Sequence, residues 1–159
     1  MYNVRMKNQL MGSLITIKST PDRGVGVFAN QNIKKGQLVV HGRGLYKVKE
    51  ITVHSFQVGK NAYMQLDKVS RSINHSCDPN TGIRSNDCRG YNFIALRDIK
   101  VGEEITWNYE TTEYEIIHMK KCTCGSKNCR GYVRGYKFLD KKTRDKYGEF
   151  IADYLKSTP

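Results

Sequence analysis

"KKCTCGSKNCRG", residues 120–131, sets three cysteines in the spacing C-x-C-x₄-C. Cys122 and Cys124 flank one residue, and Gly125 lets the backbone turn the sulfurs toward a common point. Tetrahedral zinc takes four ligands, and four thiolates close the site and leave no position for a catalytic water. The cluster therefore reads as three of the four ligands of a structural metal centre. Lys120, Lys121, Lys127 and Arg130 suit the net negative charge of such a centre. The competing reading is a loop of buried thiols, since cysteine packs like a small hydrophobe. Two cysteines remain to supply the fourth ligand, Cys77 in "NHSCDPN" and Cys88 in "SNDCRGY". Loop-closure entropy grows only slowly with length, so spacing does not choose between them.

Five cysteines, an odd number with three crowded together, favour metal binding in a reducing compartment over a disulfide framework. No run approaches the roughly 20 apolar residues of a membrane helix, so no membrane association is expected. The stretch "MYNVRMKNQLMGSLITIKS" carries no uninterrupted apolar region and no small-residue cleavage site, so an intracellular protein is expected. At 159 residues the chain is long enough for one domain with a real core. Its formal charge of +12 points either to a polyanionic partner or to a well-solvated basic surface. The charge is unevenly spread. Between His118 and Lys146 lie ten Lys or Arg against two Asp, while Asp98, Glu103, Glu104, Glu110, Glu113 and Glu115 stand almost unopposed just before them.

The first two-thirds of the chain read as short strands with tight turns: "SLITIKS", "GVGVFA", "QLVVHG", "NFIAL" and "EITWNY" alternate or are rich in β-branched and aromatic residues. One device occurs twice, Ala29…Ile33…Gly36 and Ala95…Ile99…Gly102, each a strand led into the next through a glycine turn. Near the end, Tyr147, Phe150, Ile151, Tyr154 and Leu155 recur at helical spacing, predicting an amphipathic helix within residues 136–159 laid on the domain. Gly148 weakens that helix by about 1 kcal/mol relative to Ala.

"RSINHSCDPN" (71–80), "GEEITWNYE" (102–110) and the C-x-C-x₄-C loop, preceded by "RGVGVFA" (23–29), together resemble the SET-domain family of protein lysine methyltransferases. Four motifs in the family's order cover roughly residues 12–135. The resemblance implies a mostly β fold with minor α: a β-clip of small sheets, a pseudoknot-like threaded C-terminal segment, a zinc-bound post-SET loop and a C-terminal helix. It divides the single globular unit into a SET domain at 12–115, a post-SET loop at 118–135 and the helix at 136–159. It also makes Cys77 the fourth zinc ligand beside Cys122, Cys124 and Cys129, and leaves Cys88 free.

The same resemblance implies S-adenosylmethionine as methyl donor and the ε-amine of a protein lysine as acceptor, with a histone tail or nucleosome as the expected partner. Gly24, Val25, Gly26, Tyr63, Asn74 and His75 match the family's cofactor contacts. Tyr109 matches its catalytic tyrosine. Trp107 falls where the family usually has Phe or Tyr, a position that tunes how many methyls are added; an indole face there suggests di- or trimethylation through attraction for a methylammonium. Ser72 stands where a Phe is frequent and Asn108 where an Asp is commoner. The acidic run 98–115 is expected to form a groove for a basic peptide. The basic stretch 118–146 could rest on nucleic acid, at chromatin or in a nucleus if the setting is eukaryotic. Two other readings are a basic zinc module that binds nucleic acid without catalysis, and a catalytically dead relative; the first leaves "NHSCDPN" and "EITWNY" without a purpose.

Overall fold

The two glycine turns are each other's partners. In the computed structural model, which describes residues 14–118 and 121–157, Ile33 and Ile99 exchange both backbone hydrogen bonds at 2.8 Å. Gly36 N–H donates to the Ala95 carbonyl and Gly102 N–H to the Ala29 carbonyl, each at 2.8 Å. Both glycines sit at positive φ, 82° and 83°, where a Cβ would be strained. A local pseudo-twofold thus joins two segments 66 residues apart by reciprocal pairing. The expected domain start at residue 12, most of the stretch read as lacking a signal, and Lys120 lie outside the described residues.

Among the described residues ten strands run in chain order: β1 (Ile15–Ser19), β2 (Val25–Ala29), β3 (Leu38–His41), β4 (Gly44–Lys47), β5 (Ser55–Gly59), β6 (Ala62–Leu66), β7 (Asn74–His75), β8 (Thr81–Ser85), β9 (Tyr91–Ala95) and β10 (Glu104–Trp107). They form three small sheets, ordered β1-β2-β10-β7, β3-β9-β8 and β4-β6-β5. β10 is inserted between β2, which it meets antiparallel, and β7, which it meets parallel. That insertion brings the "NHS" and "EITWNY" segments side by side, with Thr106 opposite Asn74 and Trp107 opposite His75.

Alternation decides what each strand buries. On β9, Tyr91, Phe93 and Ala95 face inward; on β10, Ile105 and Trp107 do. With Val27, Ile33, Val39, Leu66, Ile73, Ile83 and Ile99 they form a core in which each of these side chains is almost fully enclosed. Full burial of a large apolar side chain contributes about 1.5–3 kcal/mol.

The single C-terminal helix expected from spacing is divided. Residues Tyr136–Phe138 form a 3₁₀ turn, α1 spans Lys141–Tyr147, and α2 spans Asp153–Lys156. Asp140 caps α1, its side chain accepting the Thr143 N–H at 2.8 Å. Gly148, at φ +50° and ψ −112°, ends it. The apolar spacing foretold the burial of Tyr147, Ile151 and Leu155, though not the break between them. Among the described residues no helix is long and apolar enough to cross a membrane.

Candidate functional site

The sulfurs of Cys77, Cys122, Cys124 and Cys129 all lie within 4.8 Å of one another, and those of Cys77 and Cys122 are 3.7 Å apart. Tetrahedral zinc with Zn–S bonds near 2.3 Å separates its sulfurs by about 3.8 Å, so the four fit such an ion. Cys88 is not among them. Backbone amides point at the sulfurs: Cys77 N–H at Cys124 Sγ (3.5 Å), Arg130 N–H at Cys77 Sγ (3.4 Å) and Gly131 N–H at Cys129 Sγ (3.4 Å). Such donors favour thiolates. Burial opposes ionisation of Cys124, yet the Cys77 amide and Ser126 bring its thiol down to about 6.

Arg130 couples this cluster to the sheet. Its guanidinium pairs with Glu110, a carboxylate only 3% exposed whose other oxygen accepts Arg134 N–H at 2.8 Å and Gly135 N–H at 3.2 Å. Glu110 follows Tyr109 directly, so a displaced cysteine loop would strain the tyrosine's own turn.

A cavity of about 240 Å³ opens against the cluster, lined by Arg23, Asn74, His75, Tyr109, Cys124 and the neighbouring loop residues. Asn74 is fixed by donating to the Val25 carbonyl (2.9 Å) and to Glu104 Oε1 (2.8 Å), and Glu104 in turn binds Arg23 at 2.6 Å. The Arg23 Nε is buried without a hydrogen bond, its nearest carboxylate oxygen being Asp22 Oδ1 at 3.6 Å. Gly24 and Gly26 prepare this corner rather than line it. Gly24 takes φ +72°, and a Cβ on Gly26 would stand 2.5 Å from Glu104 Oε1 and 3.2 Å from Asn74 Nδ2. Val25 supplies a carbonyl and turns its side chain toward solvent. Arg23 escaped the sequence reading, although a base just before G-x-G was an available signal, and Glu104, expected in a peptide groove, instead holds Asn74 and Arg23.

His75 is buried, and burial with the nearby Arg130 and Arg23 lowers its pKa to about 3, so the ring is neutral. Its Nδ1 accepts the Tyr109 N–H at 3.2 Å, which leaves the proton on Nε2, 3.5 Å from Cys77 Sγ. The imidazole therefore links the cysteine cluster to Tyr109.

Tyr109 donates its hydroxyl to the Ile73 carbonyl at 2.9 Å, and burial pushes its ionisation well above the usual tyrosine range. On its other side lies a second cavity of about 360 Å³, lined in part by Phe56, Tyr63, Tyr109, Glu113, Ile116 and Ile117. Tyr109 lines both cavities.

Two residues are placed differently from expectation. Tyr63 lies on β6, in a sheet of its own, and lines the second cavity instead of the one containing Asn74 and His75. Trp107 is fully enclosed, because its position on β10 points inward. It packs 5.4 Å from Phe93, 5.6 Å from Phe56 and 5.0 Å from Tyr109, and lines neither cavity, so its face is not offered to a methylammonium.

The acidic run also divides. Asp98 pairs with Lys34, Glu103 with Arg97, Glu104 with Arg23, and Glu110 with Arg130. Only Glu113 and Glu115 of the six reach the second cavity. The expected acidic groove contracts to a largely apolar slot with two carboxyls, rimmed by the exposed Ile51, Val53 and Ile117.

A family model described as the SET domain matches residues 24–110. The chain is 34% identical over 144 residues to the variant-silencing SET domain-containing protein of Plasmodium falciparum, covering 74% of this chain and 6% of that one. It is 32% identical over 165 residues to an H3 lysine-9 specific histone-lysine N-methyltransferase of Fusarium mangiferae, covering 75% of this chain and 48% of that one. The chain thus spans less than half the length of these curated relatives. Among solved structures, KRYPTONITE in complex with mCHG DNA and SAH superimposes with a TM-score of 0.62 at 22% identity, over 75% of this chain and 28% of that one.

Proposed function

The chain belongs to the SET-domain family, and from that premise we propose that it transfers methyl groups from S-adenosylmethionine to the ε-amine of a protein lysine, in a histone tail. The observation that carries this reading is the position of Tyr109, in the wall of two cavities of different character. The cavity of Arg23, Asn74 and His75 suits the donor, with polar side chains held in place around it. The apolar slot on the other side suits a lysine side chain, with Glu113 and Glu115 attracting its ammonium. When bound, S-adenosylmethionine supplies a methyl group on a sulfonium sulfur. The protein's task is then to align amine and methyl across the phenol of Tyr109 and keep water out.

Cys77, Cys122, Cys124 and Cys129 would hold zinc, pinning the loop 121–131 against the donor cavity. The basic stretch 118–146 would face the nucleic acid of a nucleosome, placing the protein at chromatin. Likeness to an H3 lysine-9 specific histone-lysine N-methyltransferase supports the histone partner.

Labelled S-adenosylmethionine with core histones or nucleosomes tests the proposal directly. Wild type is expected to label a lysine, and Tyr109→Phe to lose 100-fold or more, the scale of a positioned proton-handling group (about 10²–10⁴). Cofactor binding without transfer would mark a catalytically dead relative. No cofactor binding at all would leave a basic zinc module.

A further inference from the structure

Attack on a methyl group needs a neutral amine, and free lysine keeps its proton up to a pKa near 10.4. Tyr109 is poorly equipped to remove it: its hydroxyl proton is given to the Ile73 carbonyl and its ionisation is raised by burial. His75 has both ring nitrogens engaged, by the Tyr109 amide and near Cys77 Sγ, and lines the opposite cavity. On the slot side of Tyr109 the remaining ionisable groups are Tyr63, Glu113, Glu115 and His118. His118 is exposed, Glu115 is half exposed and paired with Lys137, and the ionisation of Tyr63 is raised by burial.

Glu113 stands apart. It is only 9% exposed, lines the slot beside Tyr109, and no Lys or Arg pairs with it among the described residues. Its Oε1 accepts the Gln57 N–H at 2.9 Å and lies 3.4 Å from Thr112 Oγ1, while Gln57 Oε1 accepts the Tyr114 N–H at 2.9 Å. This reciprocal pair of bonds clamps β5 to the segment after Tyr109 and fixes where the carboxyl can be.

We propose that Glu113 is the proton acceptor for the substrate lysine. The assignment rests on the lysine methyl-transfer reading above. In the step, the carboxylate takes one proton from the ammonium and becomes a carboxylic acid. The freed nitrogen lone pair forms the N–C bond as the C–S bond breaks. That bond's electrons stay on sulfur, which becomes a neutral thioether, and the positive charge passes to nitrogen. The acid then returns its proton to water at the mouth of the slot.

The surroundings suit the role. The groups that face Glu113 are the amide of Gln57, the hydroxyl of Thr112 and the phenols of Tyr63, Tyr91, Tyr109 and Tyr154, with Glu115 further along the slot. Burial raises its pKa to about 8 against the opposing pull of the Gln57 and Thr112 hydrogen bonds. A carboxylate with that proton affinity is far closer to lysine than an ordinary one.

The test compares wild type and Glu113→Gln with a histone substrate between pH 6.5 and 10, with SAH affinity by calorimetry and thermal unfolding measured alongside. The amide oxygen of Gln can still accept the Gln57 N–H, so the fold and SAH affinity are expected to hold. The turnover of the variant is expected to fall about 100-fold near pH 7.5. It should then climb about tenfold per pH unit as solvent takes over the deprotonation, while wild type levels off above pH 8. An active wild type whose variant keeps its rate, or loses rate with an unchanged pH profile, overturns the assignment and leaves the methyl-transfer reading standing. A wild type that binds SAH yet methylates no lysine overturns both.

Discussion

Trp107 and Tyr109 donate to the same carbonyl, that of Ile73, from 3.2 and 2.9 Å, with their rings 5.0 Å apart. The indole reaches neither cavity, yet it shares the anchor that fixes the phenol between them.

Trp107→Phe keeps an aromatic ring while removing one donor and opening a void among Phe56, Tyr91 and Phe93. The loss is expected to be about 1–3 kcal/mol, from a cavity and a missing hydrogen bond. Calorimetry should record a fall of roughly 3–9 °C in Tm for a chain of this size. The extra room beside the Tyr109 anchor should shift the products toward more methyls by mass spectrometry; an unchanged distribution would separate Trp107 from product control.

Gly26→Ala places a Cβ 2.5 Å from Glu104 Oε1 and 3.0 Å from a Thr20 methyl. Glu104 must move, and Arg23 and Asn74 are held through it. Affinity for S-adenosylmethionine should weaken about tenfold, equivalent to some 1.4 kcal/mol, with the melting temperature changed little. Titration calorimetry on the variant decides the point, and an unchanged Kd would show that this corner does not hold the donor.

Elemental analysis of the purified protein should find one zinc per chain, and strong chelators should lower the Tm and abolish SAH binding together. Cys77→Ser should reproduce both effects, whereas Cys88→Ser should leave them untouched. The contrast follows from Cys77 standing 3.7 Å from Cys122 in sulfur separation while Cys88 is not among the four clustered sulfurs.

Glu113 also predicts a pH dependence of stability. Its folded pKa, about 8, is raised above the ordinary 4.5. The folded protein therefore holds a proton that the unfolded chain releases, and stability is lost as pH rises from about 4.5 to 8. Other groups titrate in that window, so the readable quantity is the difference between wild type and Glu113→Gln. Urea unfolding at pH 5 and pH 8.5 should show the wild type losing on the order of a few kcal/mol more than the variant across the interval.

The strands were legible because alternation is local: "YNFIA" and "EITW" declare which side chains they bury. Three members of the cysteine cluster followed from spacing, and the fourth only from resemblance, since nothing local separates Cys77 from Cys88. The break at Gly148 was half visible, as a weak residue inside a good period. What escaped were properties conferred from a distance. Trp107 looked available to a ligand until Phe56 and Phe93, brought from other sheets, enclosed it. Tyr63 was aligned by neighbours in sequence, although its sheet faces the other cavity. Glu113 stood in the sequence as one of six acids of an expected groove, and its burial depends on Gln57, 56 residues earlier.

The mutual pairing of Ile33 with Ile99 bears on biogenesis. A nascent chain that has left the ribosome only as far as β9 has a first glycine turn with nothing to answer the Ile33 amide and carbonyl, and a β2 edge still waiting for β10. Neither half can be completed in advance of the other, so the local hairpins of β1–β2, β5–β6 and β8–β9 can form early while this long-range pairing closes last and sets a slow final step.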